Sequence, residues 1–324
     1  MSLVTFGSIT GSAQAVVGGE DASDEYPWAA QVTSHLQDNY DADCTGALIA
    51  DEWVVTAAHC IVQIPEIANI GDHPDPSIVK NPVLSRDDVR VHIGSNNRGQ
   101  GEFHRAKRLV KAPNNEDVAL IELAEPSTKT PIPIAESSGS LTGRDARILG
   151  WGDTLPWKPG CKENCVKESE KLKQLNVSFM SIDENIKGLD PAARLAWYQS
   201  SENQTGQGDS GGPVMVKTDN HWKLVGTHIG SGTVDGGDKK IVGFSSNITN
   251  FLPWIKSAIF CPKFSSLDRK RQDLEERYTS LSRNRSPKDP DLVKLRSEIT
   301  SLATTVAQGF AKIADPGCAV KSSN

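Results

Sequence analysis

A serine framed by glycines stands in Gly208-Asp209-Ser210-Gly211-Gly212-Pro213. Glycines there let the backbone turn tightly and offer N–H groups to a developing oxyanion. A serine hydroxyl is a poor nucleophile until a histidine takes its proton. That imidazole in turn needs a buried carboxylate to hold its tautomer. Both partners occur upstream: Thr56-Ala57-Ala58-His59-Cys60 closes an apolar run, and Asp117-Val118-Ala119-Leu120 opens another. In the order His, Asp, Ser, these are the residue types of nucleophilic acyl transfer. Taken singly, each has a plainer reading: a glycine-rich turn, a strand-end histidine, a turn acid. No group of His, Cys and acids has metal-ligand spacing, and the sequence points to no cofactor.

The elements that would carry these residues read as β. Ala29–Val32, Ala47–Ala50, Trp53–Ala57, Val89–Ile93, Val118–Leu123, Ala146–Gly150, Leu175–Phe179, Pro213–Val216 and Leu224–Ile229 are short aliphatic runs punctuated by Gly, Pro, Asn and Asp. With no amphipathic helices between them, they predict barrels or sandwiches rather than a parallel α/β sheet. Residues 61–88, with Pro65, Pro74, Pro76 and Pro82, and residues 155–170, rich in Lys and Glu, read as surface loops.

The chain has 324 residues and a formal net charge of -6, which argues against a nucleic-acid partner. No run is long and apolar enough to span a membrane. The pattern changes after Cys261. Residues 261–324 carry a net +4 against -10 for the rest. Leu267, Leu274 and Leu281 recur at heptad spacing. After a proline-rich break, Leu292, Leu295, Ile299, Leu302 and Val306 fall on one helical face. Two antiparallel helices over residues 264–284 and 291–314 are predicted, with Asp291 as the second N-cap. Their apolar stripe should pack on the first helix, on the barrels or on a second molecule. At the other end, Ala13-Gln14-Ala15 has the small-x-small pattern of a signal-peptidase site. Residues 1–15 are read as a signal-peptide remnant or pro-segment, the alternative being a disordered N-terminus. Six cysteines favour an oxidising compartment but leave the pairing open.

Taken in order along residues 16–260, the motifs resemble the chymotrypsin/trypsin family of serine endopeptidases. Val16-Val17-Gly18-Gly19 resembles the family's mature N-terminus and Tyr26-Pro27-Trp28 its first-strand motif. Gly150-Trp151-Gly152 matches another motif, and Phe251–Ile255 resembles the start of the terminal helix. The resemblance implies an all-β fold: two antiparallel six-stranded barrels with the site between them, followed over residues 261–324 by the helical hairpin. It implies Ser210 as nucleophile, His59 as base then acid, Asp117 as orienting carboxylate, and the N–H groups of Gly208 and Ser210 as the oxyanion hole. It implies a Cys44–Cys60 disulfide. Cys161–Cys165 is then the natural pair within one loop, leaving Cys261–Cys318 to staple the open end of the hairpin. It also implies that cleavage before Val16 frees an amine to pair with Asp209. Uncut chain should then hold Val16 far from Asp209, with the oxyanion loop turned or disordered. Ala15 precedes the bond, so a trypsin-like activator is not expected.

Several positions depart from the family pattern. The acid that binds Arg or Lys, six residues before the nucleophile, is replaced by Gln204. A neutral amide offers no charge-assisted bond, so trypsin-like specificity is not expected. Gly206 and a position near Thr233 stand in place of a cysteine pair that brackets the pocket. Gly230 and Gly243 are expected to keep the pocket walls small. Thr205 and His228 resemble the pair that holds the substrate carboxylate in bacterial glutamyl endopeptidases; the other reading puts His228 behind the catalytic acid. A secreted endopeptidase with a neutral, hydrophobic or Glu preference is expected, acting on polypeptides and open to a protein inhibitor. Its rival is a catalytically silent protease fold kept for binding or adhesion. Asn176, Asn203 and Asn247 begin glycosylation sequons.

Overall fold

A computed structural model of the protein describes residues 16–36, 41–62, 83–113, 116–154, 168–182, 193–200, 203–234, 240–260, 262–282, 285–286 and 288–311. Residues 1–15, Cys161, Cys165, Cys261 and Cys318 lie outside these residues, so the expectations placed on them do too. So do most of the proline-rich stretch 61–88 and of the Lys/Glu-rich stretch 155–170.

Alternating apolar residues in the first half build a closed barrel. Its strands are β2 (Ala29–His35), β3 (Asp41–Ala50), β4 (Trp53–Thr56), β5 (Val89–Ile93), β6 (Glu102–Lys111) and β7 (Ala119–Leu123), in the order β2-β3-β4-β7-β6-β5. Successive side chains point to opposite faces. Leu48, Val54, Ile121 and Leu123 therefore fill the barrel, while Ala47, Trp53, Val55 and Leu120 face outward into a second core.

The second barrel is formed by β8 (Asp145–Gly150), β9 (Lys173–Met180), β10 (Arg194–Gln199), β11 (Pro213–Thr218), β12 (His221–Val234) and β13 (Lys240–Asn247). It closes antiparallel as β8-β9-β10-β13-β12-β11, and the short β1 (Glu20–Asp21) adds to β9. Ile148, Leu175, Trp197, Val214 and Val225 fill it. The core between the barrels joins Tyr26, Trp53, Val55 and Leu120 of the first half to Leu149, Trp151, Met215 and Leu224 of the second. The α1 helix (Leu252–Phe260) seals that seam with Trp254, Ile255 and Ala258.

All nine aliphatic runs are strands. Four of the described strands were not foreseen: the two-residue β1, and β6, β10 and β13. In β6 the exposed Phe103, Arg105 and Lys107 alternate with buried His104, Ala106 and Arg108, so charge masks the period. Arg108 finds partners inside: its Nε donates to Glu122 at 2.6 Å, and its guanidinium lies 4.9 Å from the Trp53 ring. It also donates to the Ala258 carbonyl at 3.4 Å, which ties α1 to the first barrel.

The C-terminal hairpin forms as α2 (Pro262–Ser282) and α3 (Pro290–Ala311). The helices pack on each other, and α2 also lies against β6. The second N-cap is Asp289 rather than Asp291. Asp289 Oδ1 accepts from the Asp291 N–H at 2.9 Å, and Pro290 takes the first helical position, where no N–H is needed. Leu292 and Leu295 are 1% and 6% exposed, so this part of the stripe is spent within the chain. Arg271 and Glu275, one turn apart, form a buried pair at 2.5 Å. Burial beside them pushes Lys111 down to about 8, with Glu275 opposing the shift. Leu292→Ala should cost about 2–5 kcal/mol through the cavity it leaves. Val293→Ala, at a residue 55% exposed, should change stability by less than about 0.5 kcal/mol. Denaturant unfolding followed by helical signal checks both; equal effects would show that the stripe carries no packing.

Candidate active site

His59 sits in a single turn of 3-10 helix, Ala58–Ile61, directly after β4. The turn is held from two sides. Cys60 is disulfide-bonded to Cys44 on β3, as expected, and its carbonyl accepts from Ser34 Oγ at 2.6 Å. Asp117, just before β7, grips His59 twice: Oδ2 meets Nδ1 at 2.8 Å and Oδ1 accepts from the His59 backbone N–H at 2.9 Å. With Asp117 ionised, the ring proton belongs on Nδ1, which leaves Nε2 as the acceptor. Burial alone would raise the Asp117 carboxyl, but the charge and hydrogen bonds of His59, with help from Arg194, hold it below its ordinary value. Ser246 of the second barrel donates to the Asp117 carbonyl at 3.1 Å.

The serine loop comes from the second barrel and presses on the histidine turn of the first. Thr45 on β3 donates its N–H to the Ser210 carbonyl at 2.8 Å and its hydroxyl to the Gly208 carbonyl at 2.8 Å. The Cys60 sulfur lies 3.7 Å from the same Ser210 carbonyl. A Cβ on Gly211 would overlap Thr56 Oγ1 and come within 2.8 Å of the Ala57 nitrogen, two residues before His59. Its φ of +79° also needs glycine. Gly208 has φ +91°. Among the described residues, the N–H groups of Gly208 and Ser210 donate to no internal acceptor.

Val16 is fully buried, packed with Leu141 and Trp197, and Val17 bridges to Gln204 with Gln204 N donating to its carbonyl at 3.0 Å. In uncut chain the Val16 side chain is therefore already buried, and the carboxylate of Asp209 is held by backbone N–H groups. The valine side chain finds an apolar socket, and the backbone a ladder partner, without a free amine. Val16 is held at φ +47°, an unusual position for a β-branched residue. Asp209 is completely buried. Its carboxylate accepts from Gly152 N and Gly206 N, each at 2.9 Å, and burial pushes its pKa up to about 7.

The expected pocket residues part company. Gln204 spends its backbone on Val17. His228 is 1% exposed, with its ring 5.6 Å from that of Trp197. Burial, with the nearby charge of His59, pushes it down to about 3, while a bond to the Phe244 backbone opposes this. Among the described residues its Nδ1 has no hydrogen-bond partner. Thr205 is bound to Gln199 and Ser231, each at 2.8 Å. Neither of those two was foreseen, because their convergence depends on strand register. Gly230 ends a register shift in β12, and Gly243 faces Trp197 across β10–β13.

His59, Cys44 and Cys60 lie close enough together to suggest metal ligands, but the two thiols are consumed in the disulfide.

Two closed six-stranded barrels with a histidine–aspartate pair and a glycine-framed serine at their seam define a chymotrypsin-like protein. A family model described as Trypsin matches residues 16–255, and the chain belongs to that family. It is 25% identical over 279 residues to CLIP domain-containing serine protease B4 of Anopheles gambiae, covering 76% of this chain and 70% of the relative. It is 26% identical over 261 residues to Ovochymase of Halocynthia roretzi, covering 75% of this chain and 15% of that much longer protein. Among the described residues no helix is long and apolar enough to cross a membrane.

Proposed function

We propose that the chain is a secreted serine endopeptidase that cleaves polypeptides through an acyl-enzyme on Ser210. The observation that carries this reading is the double grip of Asp117 on His59 beside a serine loop pinned by Thr45. In this mechanism His59 Nε2 takes the Ser210 proton as Oγ attacks the scissile carbonyl. The N–H groups of Gly208 and Ser210 receive the oxyanion. His59 then protonates the leaving amine, and a water activated by the same nitrogen releases the acid. Asp117 stays ionised throughout and stabilises the imidazolium. The Cys44–Cys60 disulfide favours an oxidising compartment. A silent binding module on this fold would not need the Asp117 grip or the unbonded loop N–H groups.

The test uses the full chain cut before Val16. A small serine-reactive phosphonate should label Ser210, and the labelling should vanish in Ser210→Ala. Cut sites sequenced from a digested protein mixture should not follow Arg or Lys. No labelling would favour the silent module; cuts after Arg would show that a charge other than Gln204 reaches the pocket.

A further inference from the structure

Asp117 reaches His59 from a short turn, not from a strand; β7 begins two residues later, at Ala119. Local bonds shape that turn. Glu116 N donates to the Pro113 carbonyl at 3.3 Å, Val118 N to the Glu116 carbonyl at 2.9 Å, and Ala112 N to the Val118 carbonyl at 2.9 Å. These partners all belong to the first half of the chain. They do not set where Asp117 stands relative to Ser210, which comes from the second barrel.

Two residues of the second barrel supply that link. Arg194 on β10 and Ser246 on β13 are directly paired. Directly paired residues share a face of the sheet, so the guanidinium and the hydroxyl leave the barrel side by side. Ser246 Oγ donates to the Asp117 carbonyl at 3.1 Å, and Arg194 Nη1 donates to Glu116 Oε2 at 2.8 Å. One rung of the second barrel thus holds two consecutive residues of the first. The guanidinium is also fixed at its root. The same Nη1 donates to the Ala193 carbonyl at 3.2 Å, and that carbonyl accepts from Asn247 N at 2.9 Å. Nη1 carries two hydrogens, and both are used. The Arg194 and Glu116 side chains are 18% and 29% exposed, so water and salt screen their attraction less than that of a surface pair. The positive charge also helps to keep Asp117 ionised.

We infer that Arg194 is a positioning residue for hydrolysis: through Glu116, with Ser246 beside it, Arg194 fixes the aspartate turn of the first barrel to the barrel that carries the nucleophile. This rests on the protease reading above and adds a residue to it. Without the ion pair Asp117 still grips His59, so the fold and substrate binding persist. The aspartate and histidine then shift together against Ser210, and the proton transfer between His59 and Ser210 loses its alignment. A loss of that kind falls on kcat and leaves KM in place.

Initial rates on the full chain cut before Val16 test this, with a peptide carrying a cut site sequenced from the parent's own digest. Rates are taken per site, counted by complete phosphonate labelling of Ser210, so that misfolded chain does not enter. Arg194→Met should lower kcat by about 10-fold with KM unchanged, the scale of a modest misplacement of reacting groups. Glu116→Gln should do the same, and the double variant should be no slower than the slower single one, because both remove one interaction. Arg194→Lys keeps the charge and should recover most of the loss. Glu116→Gln, nearly the same shape as the parent, decides the matter should Arg194→Met fold poorly. Parental kcat in Glu116→Gln overturns the inference. So does a loss carried by KM alone, or losses that multiply in the double variant. The parent keeps the two readings apart. If it cleaves and labels while the variants match it, only this inference falls; if it neither cleaves nor labels, the protease reading falls and this one with it.

Discussion

Ser210→Ala and His59→Ala should each lose hydrolysis by about 10^4-fold or more, because members of a triad act as a unit. The geometry adds a sharper expectation for the third member. Asp117→Asn keeps the size and one acceptor oxygen. If the amide oxygen stays on the His59 backbone N–H, now 2.9 Å from Oδ1, its NH2 must face Nδ1. The ring then has to carry its proton on Nε2, where it can no longer accept from serine. A loss of about 10^4 in kcat is expected, the size typical of such triads in general. Initial rates on a peptide substrate check all three. Wild-type rates in any of them would end the proposal that this pair and this serine are the catalytic groups.

The second large effect concerns Asp209. Its folded value is about 7 against an ordinary 3.8, because burial disfavours its charge. Between those two pH values the unfolded chain has lost the proton while the folded chain keeps it. Unfolding then releases a proton, so this group lowers stability as pH rises from about 4 to about 7, and the loss is complete above the folded value. Asp117, Glu102 and Asp21 are held below their ordinary values and work in the opposite direction at lower pH. The informative quantity is therefore the difference between the chain and Asp209→Asn. In uncut chain the Asn variant should gain stability over the parent as pH rises through this window, read from melting temperatures. In chain cut before Val16 the order should reverse at neutral pH, since the carboxylate then has an amine to pair with and the amide does not. Hydrolysis should rise on cutting in the parent and not in the variant. Parallel curves for both forms would show that Val16 and Asp209 never meet.

How much of this was legible beforehand depended on whether a feature is local. His59, Asp117 and Ser210 sit in short motifs of glycine, alanine and aliphatic residues, and their spacing was readable before any fold. Strands such as Val89–Ile93 announced themselves because their inward residues are aliphatic. Strand β6 did not, because Arg108 buries its charge against Glu122 and Trp53, partners fixed only by tertiary packing. Asp289 and Asp291 are both sound caps, and only backbone geometry chooses between them. The bonding of Thr205 to Gln199 and Ser231 was least legible. It draws one residue from each of three separated segments, and only strand register brings them together.

The close fit of Gly211 against Thr56 and Ala57 has a kinetic consequence. His59 and Ser210 belong to barrels far apart in sequence, and each barrel can close using mostly its own strands. The catalytic constellation exists only after the two have docked. Contacts of such long separation form late, because their loop-closure cost must be met before they are rewarded. On refolding from denaturant, recovery of backbone signals should run ahead of recovery of phosphonate labelling at Ser210. The lag between them would time the meeting of the two halves, making the nucleophile a built-in clock for the last step of assembly.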